Sequence, residues 1–134
     1  MTSSPPSARI YKTAWFEKFA REEKIEDATL VAAIRNAEKG LIDADLGGGV
    51  IKQRVARPGA GKSGGYRTII LYKAQDRAVF VYGFAKNDKA NLDPDEVKAY
   101  RLAGGLVLGL TEAQIAEQVE AGKWVKVTCD DEDL

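Results

Sequence analysis

The pattern of apolar and polar positions changes character twice along this chain. Between Trp15 and Gly40 the apolar residues recur at helical spacing. Trp15, Phe16 and Phe19 form one face of a short amphipathic helix, and Leu30, Ile34 and Ala37 form the face of a second. Asp27 suits the N-cap of that second helix and Gly40 its stop, so the two helices, joined by Glu22–Glu26, read as a helical hairpin. Ahead of them, Arg9-Ile10-Tyr11-Lys12 has weak strand character. A linker follows the hairpin and ends at Gly47-Gly48-Gly49, where the spacing turns extended. Val50–Ala56, Tyr66–Lys73 and Arg77–Lys86 predict three strands. Ala74-Gln75-Asp76 is short enough to force an antiparallel hairpin between the last two. Phe80, Tyr82 and Phe84 alternate with Val79, Val81 and Gly83, so both faces of that strand are apolar and it belongs at the sheet centre. The pattern then returns to helical. Asp93-Pro94-Asp95-Glu96 opens a helix carrying Val97, Tyr100 and Leu102 or Ala103, which weakens at Gly104-Gly105. Thr111-Glu112-Ala113-Gln114 opens another, ending near Gly122, and Lys123–Thr128 reads as a short edge strand or an extended tail. The predicted class is α+β: a small antiparallel sheet of three to four strands, with two helices before it and two after.

A chain of 134 residues, 45% apolar and 30% charged, fills one domain. That domain is expected over residues 9–128, between a Ser/Pro-rich disordered tail (1–8) and a solvated acidic tail (129–134). No apolar run approaches the roughly 18 residues of a membrane span, and the N-terminal residues lack a secretory pattern, so a cytoplasmic protein without a membrane partner is expected. The absence of histidine removes Ser-His-Asp and Cys-His nucleophile systems, HExxH metal sites and Cys/His zinc fingers together. Cys129, the lone cysteine, can form neither an internal disulfide nor a multi-thiolate site, and beside four acids it reads as inert. No metal and no cofactor are expected, so any acid–base chemistry falls to Lys, Tyr, Arg, Asp or Glu.

Charge changes the picture through its distribution. Twenty bases balance twenty acids overall, yet Val50–Ala90 holds nine bases against Asp76 and Asp88, a local net of +7. Such a segment makes a phosphate-seeking field inside a neutral protein; ordinary surface lysines on a solvated hairpin are the plainer alternative. Ala56-Arg57-Pro58-Gly59-Ala60-Gly61-Lys62-Ser63 nearly matches a phosphate-binding P-loop, with Ala in place of its first Gly. That loop needs a helix immediately after it, whereas Gly64-Gly65 and the β-rich Tyr66–Lys73 follow here, so a flexible basic hairpin loop is predicted instead. Pairing the strands through their turns gathers Arg57, Lys62, Arg67 and Lys86 at one sheet end. Arg54 and Lys52 then extend the patch along one face. Like charges collected without carboxylates cost stability, which favours a phosphate site over a purely structural edge.

GKSGGYRTIILY (61–72) and VFVYGFAKNDKANLDPDEVKAY (79–100) resemble the RelE/ParE superfamily of type II toxins, in its RelE/HigB-like branch, with similarity from about Arg9 to Tyr100. The resemblance implies a RelE-like fold and a metal-independent mRNA endoribonuclease acting on messages in the ribosomal A site, silenced by a cognate antitoxin. It aligns Arg67 with the arginine opening a sheet strand, Lys86 with the basic residue ending the last strand, and Lys52 and Arg54 with a basic pair. Arg57 rivals the latter two. These four, Arg67, Lys86, Lys52 and Arg54, are the expected catalytic residues, with Arg57, Lys62, Lys73 and Lys89 as further RNA and phosphate contacts. The family's Tyr or His near the start of the last helix is replaced here by Ala90-Asn91-Leu92-Asp93. A nucleic-acid or ribosome binder without catalysis, and a gyrase-directed toxin on the same fold, remain the alternatives. Cleavage requires a proton acceptor at the 2′-OH, neutralisation of phosphate charge and a proton for the leaving 5′-oxygen. Arg67 and Arg54 suit the clamp; Lys52, Lys62 and Lys86, then Tyr66 or Tyr82, are the proton-transfer candidates. The antitoxin is expected to carry a helix-turn-helix or an acidic disordered segment, and to bind the basic face, Leu106–Leu110 or Lys123–Val127.

Overall fold

Thr13 launches the first helix: its hydroxyl accepts from the Phe16 amide at 3.2 Å, so the chain turns sharply out of strand β1 (Arg9–Thr13) into α1 (Ala14–Glu22). In the computed structural model, residues 8–57, 61–85 and 92–128 are described. Helix α2 (Asp27–Glu38) buries Leu30, Val31, Ala33, Ile34 and Ala37, the face its spacing predicts. Asp27 is not its cap. Glu26 holds that position without a side-chain bond, and the Asp27 carboxylate instead takes Lys12 Nζ at 2.9 Å and the Thr128 amide at 3.2 Å. Ala8, read as tail, is buried, and its amide donates to Glu38 at 3.0 Å. The remaining tail residues, 1–7 and 129–134, lie outside the described residues.

The sheet has six strands and is mixed, which corrects the three or four antiparallel strands predicted. Its order is β2-β3-β4-β5-β1-β6, with β2 (Ala44–Gly47), β3 (Val50–Arg57), β4 (Gly61–Lys73), β5 (Arg77–Ala85) and β6 (Trp124–Lys126). β1 lies parallel to β5 and antiparallel to β6. β1 and β6 fall where the sequence offered a weak strand (Arg9–Lys12) and a short edge strand or tail (Lys123–Thr128), and only β2 escaped the pattern. β2 has four residues without alternation and exists by pairing with Val50–Lys52, so the segment read as a linker is an edge strand. The basic loop is also tighter than predicted: strand pairing continues to the Arg57–Gly61 rung, and no helix follows the P-loop-like motif.

A bulge resets the alternation of the central strand. Ile69 pairs with Tyr82 but Ile70 pairs with Phe80, so Val81 is the extra residue. Phe80 therefore packs with Phe16 under α1, while Tyr82 and Phe84 join the opposite layer with Val79 and Ile69. The sequence alternation had placed Phe80, Tyr82 and Phe84 on one face.

That opposite layer is closed by α3 (Pro94–Val107) and α4 (Glu112–Glu120). Glu96 accepts from the Asp93 amide at 2.8 Å and Gln114 from the Thr111 amide at 2.8 Å, the predicted capping pairs. α3 does not weaken at its glycines. Gly104 faces β2–β3, where a Cβ would stand 2.8 Å from the Gly48 carbonyl oxygen, so the missing side chain is what lets the helix approach. Gly105 points into open space. Gly104→Ala is expected to lower stability by about 1–3 kcal/mol, whereas Gly105→Ala should raise it by roughly 0.5–1 kcal/mol through helix propensity. Denaturant midpoints of the two variants check the opposite signs. Of the proposed partner segments, Trp124 and Val127 are buried in the core, while Leu106 stands exposed on α3.

Candidate functional site

The β3–β4 hairpin places its basic residues by strand geometry alone. Arg54 lies directly opposite Arg67, and Arg67 lies opposite Phe84, so one rung across three strands reads Arg54–Arg67–Phe84. The next rung on the same face is Lys52–Ile69–Tyr82. Directly paired residues share a face, so Lys52, Arg54, Arg67, Tyr82 and Phe84 all belong to the α3 side of the sheet. α3 packs against the Val50 and Leu71 end of that face through Gly104.

Arg54 is exposed, while the Arg67 side chain is only 11% exposed. Two guanidinium groups on one rung repel, and a carboxylate missed by the sequence reasoning relieves that repulsion. Asp43 Oδ2 lies 3.5 Å from Arg67 Nε and 4.0 Å from Lys52 Nζ. The cluster is thus not free of acids, as the charge count over Val50–Ala90 had implied. Asp43 precedes that segment and reaches the site because β2 folds back on β3. Its backbone is held in turn. Buried Gln53 accepts from the Asp43 amide at 3.0 Å and donates to the Leu41 and Ala33 carbonyls, each at 2.9 Å. Arg67 Nη1 is buried and finds no hydrogen-bond partner among the described residues.

The other expected site residues separate. Lys73 stands at the far end of β4, six residues and roughly 20 Å along the strand from Arg67, where it pairs with Asp76 at 3.5 Å. Arg77, counted in the basic segment, is buried and donates to the Val107 and Leu110 carbonyls at 3.2 and 2.7 Å, tying down the α3 C-terminus. Arg57 and Lys62 are placed by backbone beside the Arg57–Gly61 rung, with side chains outside the described residues. Lys86 and Lys89 also lie outside the described residues; the last described β5 residue, Ala85, pairs with Tyr66.

The two tyrosines part company. Tyr66 is buried on the α1 side, and its hydroxyl donates to Glu23 at 2.5 Å, so it packs rather than lines the basic face. Tyr82 is half-buried on the basic face, 6.4 Å from Tyr100 of α3. Burial, then the neighbouring Tyr82 and Glu96, pushes the Tyr100 phenol up to about 12, so it stays protonated at neutral pH. Among the described residues no group of acids, cysteines or histidines could hold a metal ion, and no helix is long and apolar enough to cross a membrane.

The fold is a small mixed sheet with helices on both faces and a basic corner at one hairpin. The family described as the RelE toxin of the RelE / RelB toxin-antitoxin system matches residues 8–127, and the chain belongs to that family. No curated protein matches the chain.

Proposed function

We propose that the protein is a ribosome-dependent mRNA endoribonuclease that acts in the cytoplasm and is silenced by its antitoxin. The Arg54–Arg67 rung, backed by Lys52 and Asp43, carries this reading. In-line attack of a 2′-oxygen forms a bond to phosphorus and breaks the bond to the 5′-oxygen, leaving a cyclic phosphate and a 5′-hydroxyl. Arg54 and Arg67 neutralise the phosphate charge as it builds, through charge-assisted hydrogen bonds that need no proton transfer. Lys52 donates the proton to the departing oxygen. Asp43 is the carboxylate positioned among these groups to accept the proton of the 2′-hydroxyl. Both roles need no histidine, which fits a chain that has none. The antitoxin, on the same reading, silences the site by laying an acidic segment over this rung.

Mapping message 5′ ends after induced expression tests the activity. New internal ends support cleavage; their absence together with a DNA-damage response favours gyrase as the target. Asp43→Asn separates a base from a counter-ion. As a base, its loss lowers the cleavage rate about 100-fold with RNA affinity undiminished. As a counter-ion only, its loss leaves the rate unchanged or raises it.

A further inference from the structure

β1 pairs with Arg77–Phe80 of β5, and among the described residues no strand pairs with Val81–Ala85 on that side. Trp15, in the first turn of α1, reaches round this edge. It is 49% exposed, yet its ring is held from two sides. Phe19 lies against it at 5.4 Å with the planes 13° apart, and Tyr82 at 4.9 Å. Tyr82 in turn meets Phe84 at 5.8 Å, and Phe84 is the rung partner of Arg67. An aromatic path therefore runs from the Arg54–Arg67 rung to a solvent-facing indole on the order of 10–15 Å away. The bulge at Val81 makes this path, because without it Tyr82 would face α1.

From this juxtaposition we propose that Trp15, supported by Tyr82, is a base-stacking subsite for single-stranded RNA, seating a nucleobase that flanks the phosphate held by Arg54 and Arg67. The inference rests on the endoribonuclease reading and adds where the substrate's bases go. Single-stranded RNA is gripped by basic groups along its backbone and aromatic faces under its bases, and here the two adjoin. Stacking on Phe19 and Tyr82 fixes the indole before the ligand arrives, so little side-chain freedom is lost on binding.

The test uses two 2′-O-methyl oligoribonucleotides, which cannot be cut, one with all its bases and one with abasic positions. Trp15→Ala is expected to weaken the base-bearing oligonucleotide about tenfold and leave the abasic one unchanged, while Trp15→Phe keeps most of the affinity. Binding should also quench Trp15 emission, with Trp124, only 7% exposed, as an unresponsive reference. Arg67→Ala should weaken both oligonucleotides alike. If Trp15→Ala changes neither affinity while Arg67→Ala lowers both, the subsite is overturned and the RNA reading stands. If Arg67→Ala also changes neither, or the unsubstituted protein binds neither oligonucleotide, whether free or presented in the A site of a programmed ribosome, both fall. Loss of antitoxin binding alone in Trp15→Ala would assign the shelf to the protein partner and overturn it as an RNA subsite.

Discussion

Arg67→Ala is expected to abolish growth arrest and to lower message cleavage by roughly 100- to 1,000-fold while the fold survives. Arg67 sits in the middle of a three-strand rung, directly opposite Arg54, so on the proposed reading its loss removes a donor where phosphate charge builds. The same substitution releases Asp43 from its 3.5 Å contact and leaves the carboxylate facing the incoming phosphate, which adds repulsion to the lost attraction. Arg67→Lys is the sharper probe. It keeps the charge and loses the planar fork, so it should restore much of the RNA binding and little of the rate. Cleavage assays on programmed ribosomes, with circular dichroism to show an intact fold, check both. An Arg67→Ala protein that still arrests growth would remove the residue from the site.

The largest effect on stability is expected at Lys12. Its ammonium is buried, with the side chain 7% exposed, 2.6 Å from Glu17 and 2.9 Å from Asp27. One charge thereby joins β1, α1 and α2, and Asp27 carries the link on to the Thr128 amide. Lys12→Ala leaves two carboxylates facing each other over an emptied space and should cost about 3 kcal/mol. Burial works against the Lys12 charge, but hydrogen bonds to Glu17 and Asp27 outweigh it and raise its pKa. The hydrogen bond from Lys12, then that from Arg21, holds the Glu17 carboxyl below the usual carboxylate range. Glu17 thus stabilises the fold above its unfolded pKa, a contribution lost as pH falls through the lower folded value. The Lys12 contribution is present below the ordinary lysine range and is lost only in strong alkali. The stability gap between the unsubstituted protein and Lys12→Ala should be widest near neutrality and narrow below about pH 4. Urea unfolding across that range measures it.

What could be read from the chain follows from how local each signal is. The helices were legible because their caps and apolar faces lie within one stretch: Thr111 with Gln114, Asp93 with Glu96, Leu30 with Ile34. The β4–β5 hairpin was legible because its turn is short, and the shared face of Lys52 and Arg54 because strand residues two apart point the same way. That Arg54, rather than Arg57, stands opposite Arg67 was not, because the basic loop is shorter than the sequence predicts. The parallel pairing of β1 with β5 leaves no mark in either segment, since it joins residues as distant as Arg9 and Arg77. Asp43 was missed for the same reason. Its role depends on β2 returning beside β3 and on Gln53 holding its backbone, neither of which the charge pattern records. The bulge at Val81 was invisible because Val, Phe and Tyr suit either face of a strand, and only packing decides which face each takes. Lys73 and Arg77 entered the basic count as charges, whereas the structure gives one to a turn and the other to the end of a helix.

The strand order also bears on how the protein emerges from synthesis. β1 is made before β5 and β6 yet lies between them, with Arg9 opposite Arg77 and Thr13 opposite Trp124, so both its edges are paired only once β6 has been made. Contacts this distant in sequence form late, because closing such long loops costs entropy before any contact rewards it. The basic hairpin, by contrast, is built from neighbours and can pair while translation continues. Truncated chains that stop before Trp124 would carry the hairpin on an open, incompletely buried sheet. A toxin arranged in this way completes its sheet only after Trp124 has been made.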